Sequence, residues 1–363
     1  MSYRIVTNPG LQGDLRIYHA AAKACAEGRN PYDAGALTSA LGKTQPLPFV
    51  YPPATLPLLR SLLVLDYRTT YFAFFALKIA GVIALVLMWQ RRLFPEAAAR
   101  ACLYLLCALA YAQTIKMDVR AGNISVFEQL LIWTAALAFL RRRPGLYAAL
   151  IASAAVFKVT AAVLLLLLLV DRDRRAKAAL LAATAGLAVV HGVSAAVRPD
   201  LFAAFLRNAA ALDDRGGVNP ASLAVIRDGL ERLAGDRVFP HLDAVVYGLF
   251  VLLVLGALVW VGRRHDFRAD RVGAVFVGFL AYALAVPRFK DYSYILLIPP
   301  SVYVVVSVLR GFGARLLALL LLCTHLFAYQ SWVTALVLFT AYLAHLLRAP
   351  RRPPSPAAAP GPA

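Results

Sequence analysis

From about residue 70 onward the chain alternates long apolar runs with short polar breaks, and before that point it does not. The runs at about 70–90, 98–117, 124–140, 177–197, 243–262, 271–286 and 293–309 are continuous rather than alternating in polarity. Continuous apolar runs of roughly 20 residues are what an α-helix needs to cross a bilayer, whereas outer-membrane strands alternate. Two longer stretches, 145–170 and 314–347, are basic at both ends. A single crossing would put one basic flank on each side of the membrane, against the tendency of Lys and Arg to collect on the cytoplasmic side. Each is therefore read as a hairpin. One is a short pair of helices meeting near Lys158, and the other a fuller pair meeting at Tyr329-Gln330-Ser331-Trp332. The expected fold is an all-α integral membrane bundle of about eleven membrane segments.

The arginine clusters Arg91-Arg92, Arg141-Arg142-Arg143, Arg263-Arg264 and Arg351-Arg352 all fall at the ends of runs. Placing them in the cytoplasm makes residues 1–68 an extracytoplasmic loop, residues 69–347 the polytopic transmembrane domain, and residues 348–363 a Pro/Ala-rich, disordered cytoplasmic tail. The same orientation brings the polar breaks at 14–53, 116–123, 213–220 (inside 198–241, the largest later loop) and 287–292 to the outer face, with the Lys158 tip pointing toward it. That convergence predicts one external active site at the membrane surface. The first loop itself carries about seven Lys/Arg and runs against the charge rule. Only 13 residues precede Asp14, so we expect an apolar helix encoded upstream of Met1 to lead this loop across.

Composition sharpens the class. Of 363 residues, 61% are hydrophobic and mean hydropathy is +0.68, more than a soluble protein of this size conceals. The net charge of +19 would suit a nucleic-acid partner, but the arginines sit at span ends and no aromatic–basic pattern accompanies them, so no nucleic-acid partner is expected. Cys25, Cys102, Cys107 and Cys323 include no C-x-x-C pair and support neither a disulfide framework nor a zinc site. No phosphate-binding P-loop, H-E-x-x-H or serine nucleophile elbow occurs. Asp171-Arg172-Asp173 is a D-x-D, by which soluble glycosyltransferase domains hold a metal and a sugar nucleotide, but it falls on the inner face without an α/β domain. No metal and no cofactor are expected.

The candidate chemistry lies in the polar breaks. Leu15, Tyr18, Ala21, Ala22 and Cys25 recur at helical spacing from Asp14 to about Glu27, with Gly28 as a stop. Asp14 could be a catalytic base or the N-cap of that helix. Asp33, in Asn30-Pro31-Tyr32-Asp33, reads as a turn residue. Lys158 sits between apolar runs, where a charge costs about 2.5–3.5 kcal/mol on insertion scales. Such residues are usually paired or line a ligand path. Lys78, in a longer uninterrupted span, is a weaker candidate of the same kind. Asp118, Arg120 and Asn123 occupy one turn, and Arg288, Lys290 and Asp291 another. Two cationic turns on one face could bind a phosphate.

Asp14 followed by Tyr18, then Gly28-Arg29-Asn30-Pro31-Tyr32-Asp33, then Tyr51-Pro52-Pro53 resembles the first loop of glycosyltransferase family 87, the polyprenyl-phosphate-mannose-dependent mannosyltransferases of the GT-C superfamily. The similarity continues at Gly122-Asn123, at Lys158 before the run Val159 to Val170, and at Asn219, and it covers about residues 13–300. One motif departs: Phe289-Lys290-Asp291-Tyr292 stands where many members carry a Trp-x-His-Tyr-like sequence. The resemblance implies a GT-C-type bundle. It implies a hexosyltransferase that takes its sugar, mannose in the family, from a polyprenyl-phosphate donor in the membrane lipid and passes it with inversion to a glycolipid or glycan on the extracytoplasmic face. It casts Asp14 as general base. Substrate contacts are expected at Tyr18, Asn30, Tyr32, Tyr51, Arg120, Asn123, Lys158, Asn219, Arg288, Lys290 and Asp291. The alternative class is a polytopic transporter or lipid flippase, with the Lys158 hairpin as a broken-helix substrate site.

Overall fold

A computed structural model describes residues 12–42, 48–171, 173–212, 215–235, 241–323 and 329–348. Every regular element among these residues is helical. The C-terminal tail with Arg351-Arg352, the residues ahead of Gln12, and Asp213-Asp214 lie outside the described residues.

Five described helices are long and apolar enough to cross a membrane: Tyr67–Arg92, Arg174–Val197, Leu242–Gly262, Asp291–Val308 and Gln330–Arg348. The run at 98–117, expected as one straight crossing, is instead Ala97–Ala110 and Ala112–Ala121 bent by 60°, and makes a sixth span if the pair is counted together. The bend follows a π-wound stretch, Leu106–Ala110, whose widened turn interrupts the regular hydrogen-bond ladder. The expected spans at 124–140 and 271–286 are shorter helices, Ser125–Leu140 and Arg271–Ala285. The second is buried on nearly every side, as a helix that is apolar all round must be. Trp133 of the first packs edge-on against Phe279 of the second, with ring centroids 5.0 Å apart, in the main apolar core.

The hairpin at Lys158 forms as the flanking charges suggest. Helix Pro144–Phe157 ends, Lys158 is extended (φ −123°, ψ 95°), and a tightly wound 3₁₀ arm, Val159–Val170, runs back. The Tyr147 hydroxyl donates to the Leu164 carbonyl across the two arms. The backbone at the tip is satisfied locally, with Lys158 N–H on the Ala154 carbonyl and Ala161 N–H on the Lys158 carbonyl (3.0 and 2.8 Å). That is the condition for irregular backbone at membrane depth. At the open end, the Arg271 guanidinium grips the Asp171 carboxylate with both terminal nitrogens and also donates to the Phe139 carbonyl. This bridge holds residues 139, 171 and 271 together, at the end away from Lys158.

The same bridge disposes of the D-x-D. Asp171 is spent on Arg271, and Asp173 caps helix Arg174–Val197 by accepting from Ala176 N–H at 2.6 Å.

A second, smaller core gathers the first loop against the start of helix Tyr67–Arg92. Leu15, Tyr18, Tyr32, Phe49 and Tyr71 pack with Leu201 and Ala204. The last two come from the large loop 198–241, which carries helices Pro199–Ala211 and Ser222–Ala234. Its apolar positions Leu201, Ala204 and Phe205 recur at helical spacing and cover the first loop. Asn208, on the same face, donates to the carbonyls of Tyr32 and Phe49 (2.9 and 3.3 Å).

Candidate active site

Asp14 stands in the first turn of helix Gly13–Ala26, but it does not cap it. The N-cap is Gln12, without a side-chain cap bond, and the Asp14 carboxylate reaches outward instead. Its Oδ2 accepts from Asn123 Nδ2 at 2.6 Å, a partner 109 positions away. Of the two roles open to Asp14 in sequence, the cap is removed. Asp33 does cap, accepting from Ala36 N–H at 2.7 Å at the start of helix Ala34–Leu41.

Asn123 is oriented by its own turn. Its Oδ1 accepts from Ser125 N–H and Oγ–H (3.0 and 2.7 Å), which leaves the amide nitrogen facing Asp14. Two amide hydrogens then serve three oxygens: Asp14 Oδ2, Tyr292 Oη at 3.0 Å and Tyr51 Oη at 3.2 Å. Tyr51 shares a 2.7 Å hydrogen bond with Tyr18 Oη, one helical turn beyond Asp14. Gly122 makes this approach possible. It is left-handed (φ +67°), and an added Cβ would come within 2.7 Å of Gln12 Cβ. Burial raises the Asp14 pKa; the Asn123 hydrogen bond and the positive charges of Lys290, Lys78 and Lys158 oppose that rise without cancelling it. A carboxylate so placed is a stronger base than a free one.

Beneath this turn lies Lys78. It is wholly buried, with its Nζ 2.7 Å from Asp118 Oδ2 and hydrogen-bonded to the carbonyls of Asp118 and Asn123. It does not line the cavity. Lys158 does. Its ammonium contacts Glu128 Oε2 at 2.5 Å and Ser125 Oγ at 3.0 Å, and lies 5.5 Å from the centre of the Tyr292 ring.

These groups border one cavity of about 590 Å³. Asp14, Tyr18, Tyr51, Arg120, Asn123, Lys158, Arg288, Lys290 and Asp291 all line it, so most residues singled out in sequence meet at one place. Three do not, and stand behind it. Asn30 turns its side chain onto Tyr32 N–H (2.9 Å), a local Asx turn. Tyr32 donates its hydroxyl to the Tyr51 carbonyl (2.6 Å), holding the Tyr51 strand of the loop in place. Asn219 accepts from Phe289 N–H (3.0 Å) and pins the turn that bears Arg288 and Lys290. Asp291 accepts from Ser331 Oγ (2.9 Å), which ties the same turn to the start of helix Gln330–Arg348.

Sequence reasoning missed Glu128 and Gln129, which also line the cavity. The signal was present: a Glu-Gln pair inside an apolar run is a functional flag at membrane depth. Tyr292, read only as part of its motif, shares the Asn123 amide with Asp14. Among the described residues no cluster of His, Cys, Asp and Glu could hold a metal ion. The cavity offers one carboxylate tuned toward accepting a proton, several cations, and a rim of tyrosine hydroxyls. That set can take a proton from a hydroxyl while its cations hold an anionic group nearby.

No curated protein and no solved structure matches the chain. One family model does, over residues 49–287, well over half of the 363. The matched stretch contains Tyr51, Arg120, Asn123, Lys158 and Asn219; Asp14 precedes it and the Arg288–Asp291 turn follows it. With its apolar spans, and with family membership setting aside the transporter alternative, the protein is a membrane glycosyltransferase: the chain belongs to glycosyltransferase family 87.

Proposed function

We propose that the protein moves a hexose, mannose by family likeness, from a polyprenyl-phosphate donor to a hydroxyl of a glycolipid or glycan acceptor, with inversion at the anomeric carbon. The eleven-segment path, with the first loop and the cavity on the extracytoplasmic face of the cell membrane, belongs to this reading. The observation that carries it is the meeting of Asp14 and Lys158 on one cavity, although the two come from the first loop and from a hairpin tip.

Asp14 takes the proton of the acceptor hydroxyl as its oxygen bonds to the anomeric carbon. The bond from that carbon to the phosphate oxygen breaks, and its electron pair leaves with the lipid phosphate. The donor phosphodiester thereby becomes a phosphomonoester and gains negative charge. Lys158, Arg120, Arg288 and Lys290 attract that charge more strongly at the transition state than at the start, which is what accelerates the step. Glu128 holds Lys158 before the donor arrives. Tyr18 and Tyr51 brace Asn123 and Asp14 through their hydroxyls.

The test is Asp14→Asn in membranes supplied with radiolabelled polyprenyl-phosphate mannose. Removing a general base should slow transfer at least roughly 100-fold, the lower bound for such assistance, with the protein still folded. Normal turnover by the variant would overturn the mechanism. For the orientation, a cysteine at Ser355 should resist impermeant thiol reagent added outside, and its labelling would reverse the assignment of faces.

A further inference from the structure

A second, larger cavity of about 790 Å³ lies between the Val159–Val170 arm, the second half of Leu242–Gly262 and helix Arg271–Ala285. Its wall is apolar and turned outward: Leu166, Leu169 and Val259 are each more than half exposed. Tyr282 borders both cavities, and its hydroxyl, 3.3 Å from Thr160 Oγ1, marks the end nearer the catalytic one. The other end is ringed by Arg263, Arg264 and Arg268. This is the end where Arg271 ties Asp171 to the Phe139 carbonyl, opposite the Lys158 tip.

The three arginines are exposed, and none forms an ion pair among the described residues. The acids nearby are engaged elsewhere. Asp171 is held by Arg271, and Asp270 by His265 Nε2 (3.0 Å) while it also caps helix Arg271–Ala285. Asp266, on the rim itself, accepts from the Arg268 backbone N–H (3.0 Å). Three guanidiniums against this one rim carboxylate leave the rim net cationic. The Arg264 guanidinium lies 4.4 Å from the centre of the half-exposed Trp260 ring, and tryptophans favour the headgroup level of a bilayer. An outward apolar groove ending in guanidiniums at headgroup depth complements a phosphate-bearing lipid.

We propose that this groove binds an anionic phospholipid, with one acyl chain along the Val159–Val170 arm and its phosphate among Arg263, Arg264 and Arg268. The lipid is not a substrate, because its phosphate sits at the opposite end of the bundle from Asp14. It bears instead on the arm that ends at Lys158, and so braces the hairpin.

Native mass spectrometry of the full chain, with phosphatidylglycerol or phosphatidylcholine of identical acyl chains, tests the idea. Phosphatidylglycerol should be retained about tenfold more strongly. Two variants should abolish the preference separately: Arg263→Gln/Arg264→Gln/Arg268→Gln, which removes the rim, and Leu166→Trp, which fills the groove from its exposed wall and leaves the arginines intact. Equal retention of the two lipids by the unmodified protein would overturn the proposal. So would a preference that survives Leu166→Trp, since the attraction would then be to surface charge alone.

Discussion

Two lysines contact the same turn, Lys78 at the Asn123 carbonyl and Lys158 at Ser125 Oγ, and their surroundings differ in kind. Lys78 has no exposed side-chain surface, a fully buried carboxylate partner in Asp118, and two backbone carbonyls. Its hydrogens are spent on the turn that carries Asn123. Lys158 keeps 21% of its side chain exposed, pairs with Glu128, and borders the cavity. Both obey the rule that intramembrane charges are paired. What separates a structural cation from one able to meet a substrate is whether any part of it is left facing open space. Position along the run pointed the same way: Lys158 falls at a break between two helices, Lys78 inside one uninterrupted helix.

The largest effect that could break this contrast is on stability at Lys78. Lys78→Met strands the Asp118 carboxylate in the interior, so it should cost about 3–5 kcal/mol, measured by denaturant unfolding in detergent. Adding Asp118→Leu should recover part of the loss, since an apolar pair needs no compensation. A single variant as stable as the parent would end the structural reading of Lys78.

At Lys158 the effect should appear in rate. Lys158→Met paired with Glu128→Gln removes the cation without leaving its partner charged. We expect transfer to fall by roughly 10²–10³, as when one stabilising donor is lost, with unfolding close to that of the parent. Unchanged transfer would place Lys158 beside Lys78 as a structural ion.

Asp14 sharpens the comparison through pH. Burial raises its pKa, so the ionised, base-competent form appears at higher pH than it would for a free Asp. The acid limb of kcat/KM should therefore lie above the pKa of roughly 3.9 typical of a free Asp, with activity lost as pH falls through it. The stability sign is opposite to that of a salt-bridged acid. A raised pKa favours the protonated form in the fold, so the stability contributed by this group is present below the unfolded pKa and lost as pH rises through the folded one. Asp14→Asn should consequently be no less stable than the parent at neutral pH. In thermal melts from pH 4 to 8, stability should fall with rising pH more steeply in the parent than in the variant. The smallest effect is at Asn30, whose Asx turn lies behind the cavity. Asn30→Ala should lose about 1 kcal/mol of stability, the worth of one such hydrogen bond, and leave the acid limb where it was.

Several features were legible in the chain by local physics. The basic flanks of 145–170 implied a hairpin, and the tip falls at Lys158. The four-residue spacing of Asp14 and Tyr18 put both on one helical face, and both border the cavity. Other features were not legible in the pattern of runs and flanks. Residues 198–241, read as the large loop between spans, carry two short amphipathic helices, and only tertiary packing shows that the apolar face of the first of them covers the first loop. The straight 98–117 span hid a π-wound break that hydropathy cannot register.

The sequence by itself determined the class, the helical segments and the set of polar residues that apolar runs would not tolerate without a purpose, because period, run length and flanking charge are properties of neighbours. Tertiary structure alone decided which of those residues meet. Asn123 selects Asp14 over the helix end that Asp14 could have capped, Asn219 and Tyr32 turn from ligands into props, and Glu128 emerges as the partner of Lys158. Each choice pairs groups at least 19 positions apart, and most of them pair groups much farther apart. A hydrogen bond is made by whichever donor the packing delivers within reach, and no local pattern carries that information.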